Sequence, residues 1–327
     1  MIISVTGANG HVGVNLCKAL MDRGHEVRAF THHHGEALKQ IPVKIIQGDL
    51  LDPQTIVPLV TGADIVFHLA ARISILGDPD GSVSKLNMVG TRNVLEMSRK
   101  AGVKRFIHFS SIHAFNQEPH NEVLDEKREL VGDKAFAYDK SKAAGERMVM
   151  KAASEGFDAF VMSPTAIIGP MDPEPGLLGQ AFLQIYHHKI PALVPGGYDM
   201  VDVRDIVAAA ITAIEKGKKG EKYLLSGKWH SIREISEIIE SFTGKKTVKT
   251  EMPFWVARVG LPFILLFSKI TGRTPLYTSE SLTIIMGASR KISSLKAQQE
   301  LGFSPRPVKN TVEDLFTWFR ENGKLTN

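Results

Sequence analysis

The chain has 327 residues, of which 43% are hydrophobic and 23% charged, with a formal net charge of +5. That is ordinary globular composition, and the length predicts one large domain of two lobes, or two domains. The single cysteine, Cys17, excludes an intrachain disulfide; its helical setting predicts a small buried hydrophobe in a cytoplasmic protein.

Met1 leads directly into Ile2-Ile3-Ser4-Val5, so no secretory leader is expected. The alternation of strand and helix then continues in chain order. A helix is predicted from about Val12 to Arg23, strands at Val27 to Phe30, Val43 to Ile46 and Asp64 to Ala70, and a helix from about Val83 to Lys100. A strand at Arg105 to Ser110, a helix ending near Ser154 and a strand at Ala159 to Met162 follow. This β-α alternation predicts an α/β fold, a doubly wound parallel sheet with ligands at the carboxyl ends of its strands.

After Pro164 glycines and prolines predict loops. One unit returns to the sheet, a helix at Val203 to Glu215 and a strand at Lys222 to Leu225. From Ser226 onward the expectation is helices joined by loops: Ser231 to Phe242, Phe254 to Ile270, Glu280 to Met286 and Val312 to Asn322. Ser231 and Glu234 fit a capping box. We divide the chain into 1–163 plus about 201–225, and a smaller, mostly helical C-terminal lobe of about 164–200 and 226–327. Pro253 to Ile270 is apolar, but Arg258, Pro262 and Lys269 interrupt it. A pocket wall or buried helix is expected, with membrane contact as the alternative and no membrane span. The lysine clusters at 216–222 and 245–249 read as solvated loops rather than a nucleic-acid surface.

Thr6-Gly7-Ala8-Asn9-Gly10-His11-Val12-Gly13 lies between the first strand and the first helix. There the glycines permit a tight turn, close approach of a pyrophosphate and helix packing, and the helix N-terminus faces the phosphates. The second strand ends in Phe30-Thr31-His32-His33-His34, without the acid that binds the 2′-hydroxyl of NAD. A histidine can pair with a 2′-phosphate, so NADP(H) is favoured and NAD(H) remains open. No metal site is expected from these histidines. Asp49, after the third strand, is placed by the adenine or in an ordinary loop.

Tyr138 and Lys142 are four residues apart and share a helix face. A nearby ammonium lowers a phenol pKa, which predicts a proton donor or acceptor.

These residues, with Gly48-Asp49-Leu50, Val66-Phe67-His68-Leu69-Ala70-Ala71, Asn87-x-x-Gly90-Thr91 and Arg105-Phe106-Ile107-His108-Phe109-Ser110-Ser111, resemble the extended short-chain dehydrogenase/reductases. The resemblance covers nearly the whole chain and implies a Rossmann-type domain that binds a nicotinamide cofactor. It implies a catalytic set of Ser111, or Ser110 one register away, with Tyr138 and Lys142. Tyr138 would protonate the developing alkoxide, Ser111 would hydrogen-bond it, and Lys142 would lower the tyrosine pKa and hold the nicotinamide ribose. The implied cofactor contacts begin with Gly7, Asn9, Gly10, His11, Val12 and Gly13. They continue through Thr31, His32, His33, Asp49 and Leu50 to Leu69, Ala70 and Ala71. Asn87, in a supporting role, Phe109 and Ser110 come next, then Tyr138 and Lys142, and finally Pro164, Ala166 and Ile167.

Two departures narrow the branch. Sugar-nucleotide enzymes of the family usually carry an acid ending the second strand and a phosphate-binding arginine where this chain has Tyr198. Val201-Asp202-Val203-Arg204-Asp205 resembles the dihydroflavonol-reductase and 3β-hydroxysteroid-dehydrogenase branch. The aromatics Phe254, Trp255, Phe263 and Phe267 are candidates for an apolar pocket or for core. The expectation is a reductase or dehydrogenase acting on a ketone, aldehyde or secondary alcohol with an apolar body. The alternatives are a nucleotide-sugar epimerase or dehydratase and a non-catalytic NADP(H)-sensing protein. Family analogy adds a possible homodimer.

Overall fold

Short runs rich in Val, Ile and Phe alternate with helices along the first half of the chain, and the structure pairs those runs as a parallel sheet. The computed structural model describes residues 1–32, 35–271 and 277–325, apart from the side chains at 263, 265–269 and 271. β1 (Ile2–Thr6), α1 (His11–Met21), β2 (Glu26–Thr31) and β3 (Lys44–Gln47) open the chain. α2 (Pro53–Val60) leads to β4 (Ile65–His68); α3 (Ser82–Ser84) runs through a π turn, Lys85–Gly90, into α4 (Thr91–Lys100). β5 (Arg105–Phe109), α5 (Ala137–Ser154) and β6 (Ala159–Pro164) follow. Beyond them lie β7 (Ala166–Ile168), α6 (Leu177–Tyr186), β8 (Gly197–Asp202), α7 (Val203–Lys216) and β9 (Lys222–Leu225).

The main sheet has seven strands in the order β3-β2-β1-β4-β5-β6-β9, and its neighbours run parallel. Strand order reverses between β1 and β4, which makes the crevice beyond their carboxyl ends the place for a ligand. Both faces are covered, so the central strands are buried along nearly their whole length. Ile3, Val5, Phe67 and Ile107 pack with α1 and α7 on one face. Val66, Phe106 and Val161 pack with α2, α4 and α5 on the other. Each such buried side chain contributes about 1.5–3 kcal/mol from removal of apolar surface.

After Pro164 the expected helix and strand that return to the sheet are present as α7 and β9, but the segments expected as loops hold further strands. A second sheet, in the order β10-β8-β7, stands there, with β10 (Lys228–Ser231) antiparallel to β8. β7 has three residues, β8 opens on Gly197, and β10 carries Lys228 and His230. None of these has a period-two apolar pattern; pairing with distant segments makes them strands.

α8 (Ile232–Thr243), α9 (Phe254–Thr271), α10 (Ser279–Gly287), α11 (Leu295–Leu301) and α12 (Val308–Glu321) complete the C-terminal part. The Ser231 and Glu234 capping box at α8 forms as expected. Phe182, Ile235, Val312, Phe316 and Phe319 make a separate core under the second sheet. Among the described residues no helix is long and apolar enough to cross a membrane.

Candidate active site

The chain leaves β1 at Thr6 and turns at Gly7, whose φ is 70°. A Cβ there would lie 2.7 Å from the Ala70 nitrogen, and one at Gly13 would lie 2.2 Å from the Gly7 oxygen. Glycine is thus required for the turn and for seating α1 against it. Above Gly10 the nearest atom to an added Cβ is 3.4 Å away, so space is left over the loop. No side chain caps α1, and its first N–H groups are available to an anion. Among the described residues Asn9 Oδ1, in the loop, and Thr31 Oγ1, at the end of β2, are buried without a hydrogen-bond partner. An open glycine turn, an uncapped helix end and two orphaned oxygens at the switch point fit a dinucleotide.

The other expected cofactor residues fall around this crevice. His11 puts Nε2 3.1 Å from the Pro170 oxygen, so its side chain ties the glycine loop to the segment after β7. Val12 packs partly buried against the core beside it. Asp49 Oδ1 accepts from the Leu51 nitrogen at 2.9 Å, shaping the turn that buries Leu50. Leu69 N–H donates to the Thr6 carbonyl at 3.2 Å, and Ala70 N–H to Thr6 Oγ1 at 3.3 Å; Ala71 follows. Asn87, on the π turn, accepts from Arg72 N–H at 2.7 Å. It also donates to Ser141 Oγ at 2.9 Å, bracing the post-β4 loop against α5. Pro164 closes β6 beside Leu225, and Ala166 and Ile167 open β7 beside Met200 and Val201. His32 ends the described part of its loop; His33 and His34 lie outside the described residues.

Ser111 and Tyr138 come together beyond the end of β5, with Lys142 one turn further along α5. Ser110 and Ser111 are successive extended residues, so their side chains take opposite sides. Ser111 shares a side-chain hydrogen bond with Tyr138 and caps a short turn by accepting from His113 N–H at 3.2 Å. Ser110 instead faces Glu146 of α5. Lys142 is buried and donates from Nζ to the Phe109 carbonyl at 2.6 Å.

The titration of this group corrects one expectation. Burial pushes the Tyr138 phenol up to about 12, against the Ser111 hydrogen bond, while Asp139 adds to the rise. Lys142 is not among the groups that move the phenol; its ammonium donates to the Phe109 carbonyl. Burial pushes Lys142 itself down to about 8, against the pull of Glu146. The phenol is therefore protonated at neutral pH.

A cavity of about 400 Å³ opens beside this set. Ile112, Phe115, Val131, Phe136 and Ile292 give it apolar walls, with Tyr198 among them. His113, Asp139, Thr165 and Asp199 supply polar groups. Burial and the neighbouring Glu280 push Asp139 up to about 7. The His113 ring stands edge-on to Tyr138, with centroids 5.9 Å apart. His113, just beyond Ser111 in the sequence, could be read as facing substrate or as a loop histidine without a role; Asp139 was missed, although its place directly after Tyr138 was visible. Among the described residues no lysine or arginine lines the cavity. Trp255 is not a pocket residue: α9 turns it to solvent at 68% exposure. Phe254 packs with Leu261 and Leu282 instead, and the Phe263 and Phe267 side chains lie outside the described residues.

Residues 3–226 match the model of the NAD dependent epimerase/dehydratase family. The chain belongs to that family. Its relatives include sterol demethylase protein B of Methylococcus capsulatus, 33% identical over 99% of this chain and 100% of that protein. A Synechocystis protein provisionally named dihydroflavonol 4-reductase is 30% identical over 98% of this chain and 94% of its own length. The UDP-glucose 4-epimerase of Thermotoga maritima shares the fold with a TM-score of 0.80 at 20% identity, covering 98% and 99% of the two chains. This member of the epimerase/dehydratase family is thus an NAD(P)-dependent enzyme of the extended short-chain dehydrogenase/reductase type.

Proposed function

We propose that the protein is an NADP(H)-preferring oxidoreductase acting on a ketone, aldehyde or secondary alcohol with an apolar body. The observation that carries this reading is the approach of Ser111 to Tyr138, with Lys142 one turn away, beside a cavity that has apolar walls and no described lysine or arginine. A sugar diphosphate calls for arginine or lysine partners; a hydrocarbon body does not. The named reductase among the relatives points the same way.

The nicotinamide supplies or accepts hydride. The substrate oxygen lies between Ser111 and Tyr138, where Ser111 donates a hydrogen bond to the charge that grows there. Tyr138, protonated at neutral pH, gives its proton to that oxygen. Lys142, fixed by the Phe109 carbonyl, presents its charge to the cofactor ribose. We assign the cofactor to the lobe of 1–163 and 201–225, and the substrate body to 164–200 and 226–327. The preference for NADP(H) rests on His32 and on the lack of an acid at the end of β2.

A panel of apolar ketones assayed with NADPH and NADH tests the whole reading. Turnover with NADPH, together with tighter NADPH binding by fluorescence titration, is the expected result. Thermal stabilisation by UDP-glucose without turnover of any ketone would favour the epimerase reading. Equal or tighter binding of NADH would overturn the cofactor assignment.

A further inference from the structure

Four residues after Lys142, on the same face of α5, stands a carboxylate that the reaction does not use. Glu146 is 0% exposed. A buried carboxylate is costly unless it is paired and hydrogen-bonded. Among the described residues neither of its oxygens completes a hydrogen bond. Lys222, from β9, holds Nζ 3.6 Å from Glu146 Oε1 and 4.9 Å over the Phe115 ring. From the β5 side Ser110 brings its hydroxyl to the same carboxyl.

The surroundings of Lys142 offer little else to support a charge. His68 of β4 and His108 of β5 stack on each other with centroids 5.4 Å apart. Burial holds both imidazoles neutral, and the Lys142 charge presses the same way. Tyr138 is an uncharged phenol, and the Phe109 carbonyl gives one hydrogen bond. Glu146 is the group that opposes the effect of burial on Lys142; burial raises the Glu146 carboxyl itself, with Lys222, Ser110 and Lys142 acting against that rise. Lys142 and Glu146 lie one turn apart on α5, and Lys222 joins Glu146 from β9, so the three side chains run in series from the active site to β9.

We propose that Glu146, braced by Lys222, is a positioning residue for the Lys142 ammonium at the active site. The inference rests on the assignment of Lys142 above for its meaning, but the charge linkage is measurable without substrate or cofactor. Glu146→Gln is nearly isosteric and removes a buried charge, so the fold is retained; thermal unfolding verifies that.

The experiment is ε-carbon NMR of isotope-labelled lysine in the full chain, titrated with pH, with Lys142 identified by its loss in Lys142→Met. In Glu146→Gln the midpoint of Lys142 should fall from about 8 by about one unit or more, the size of an opposite charge at this range. Lys222→Met should give a fall in the same direction, and the double variant no more than Glu146→Gln alone. Lys222→Arg should keep the original midpoint. An unmoved midpoint in Glu146→Gln overturns the proposal. A fall there that is absent in Lys222→Met overturns the part given to Lys222. Failure of Tyr138→Phe to lower turnover would overturn the function proposed above and leave this linkage standing.

Discussion

Tyr138 and Lys142 were legible from their spacing, but their protonation states were not, because burial is a property of the fold. The structure gives a phenol pushed up to about 12 and an ammonium pushed down to about 8. The sign of the pH effect follows: below about 8 Lys142 is charged, and above it the charge is lost. Reduction at saturating NADPH should therefore decline as pH rises through about 8, and a rate that stays level into the ordinary lysine range near 10 would contradict this. Gly13 offers a second test at this scale. With the Gly7 oxygen 2.2 Å from an added Cβ, Gly13→Ala should cost about 1–3 kcal/mol by overpacking, read from urea unfolding, and weaken NADPH binding. Asp139 was missed because a carboxyl beside a tyrosine on a helix looks solvated until β8 and the loop after β5 enclose it.

Among the elements, β4 and β5 bury two histidines that the sequence presented only as parts of a family motif. His68 places Nδ1 2.7 Å from Thr6 Oγ1 and Nε2 2.9 Å from Thr91 Oγ1, so it stitches β1 to α4 as a neutral ring. Burial and the Lys142 charge push it down from 6.5 to about 3. The unfolded chain binds a proton below pH 6.5 that the folded chain refuses, so the His68 contribution to stability is present above that pH and is lost on acidification. The stability difference between the protein and His68→Gln should shrink by about 1.4 kcal/mol per pH unit from about pH 6 to about pH 4. Urea unfolding at several pH values measures it, and parallel curves would show that His68 does not titrate this way.

The segment Val201 to Asp205 read as a marker of a family branch, whereas in the structure it joins elements. Asp202 caps α7 by accepting from Arg204 N–H at 2.8 Å. Its carboxylate also pairs with Arg204 at 2.6 Å and stands 3.6 Å from Arg306. Arg204 reaches Asp314 of α12 at 2.7 Å, and Arg306 reaches Asp205 at 2.7 Å. Removing one partner of a buried pair is costly, so Asp202→Ala should lose about 3 kcal/mol, visible as a lower midpoint of chemical unfolding. A loss below about 1 kcal/mol, typical of an exposed pair, would contradict the clamp.

For the whole molecule, the parallel sheet was legible because short segments rich in Val, Ile and Phe, such as Ile2 to Val5 and Arg105 to Phe109, alternate with helical patterns. The second sheet was not: β7 has only three residues, and β8 and β10 carry glycine, charged or polar residues. The glycine turn announced a cofactor crevice. The cavity proposed for the substrate is assembled from β7, β8, α10 and the loop after β5, and no local pattern encodes that meeting. The central claim is that the molecule brings Tyr138 to a carbonyl beside the nicotinamide. Comparing Tyr138→Phe with the unaltered protein on apolar ketones, with NADPH binding measured in parallel, tests it most directly. The account predicts unchanged NADPH affinity and a turnover lower by about 100-fold or more; undiminished turnover would contradict it.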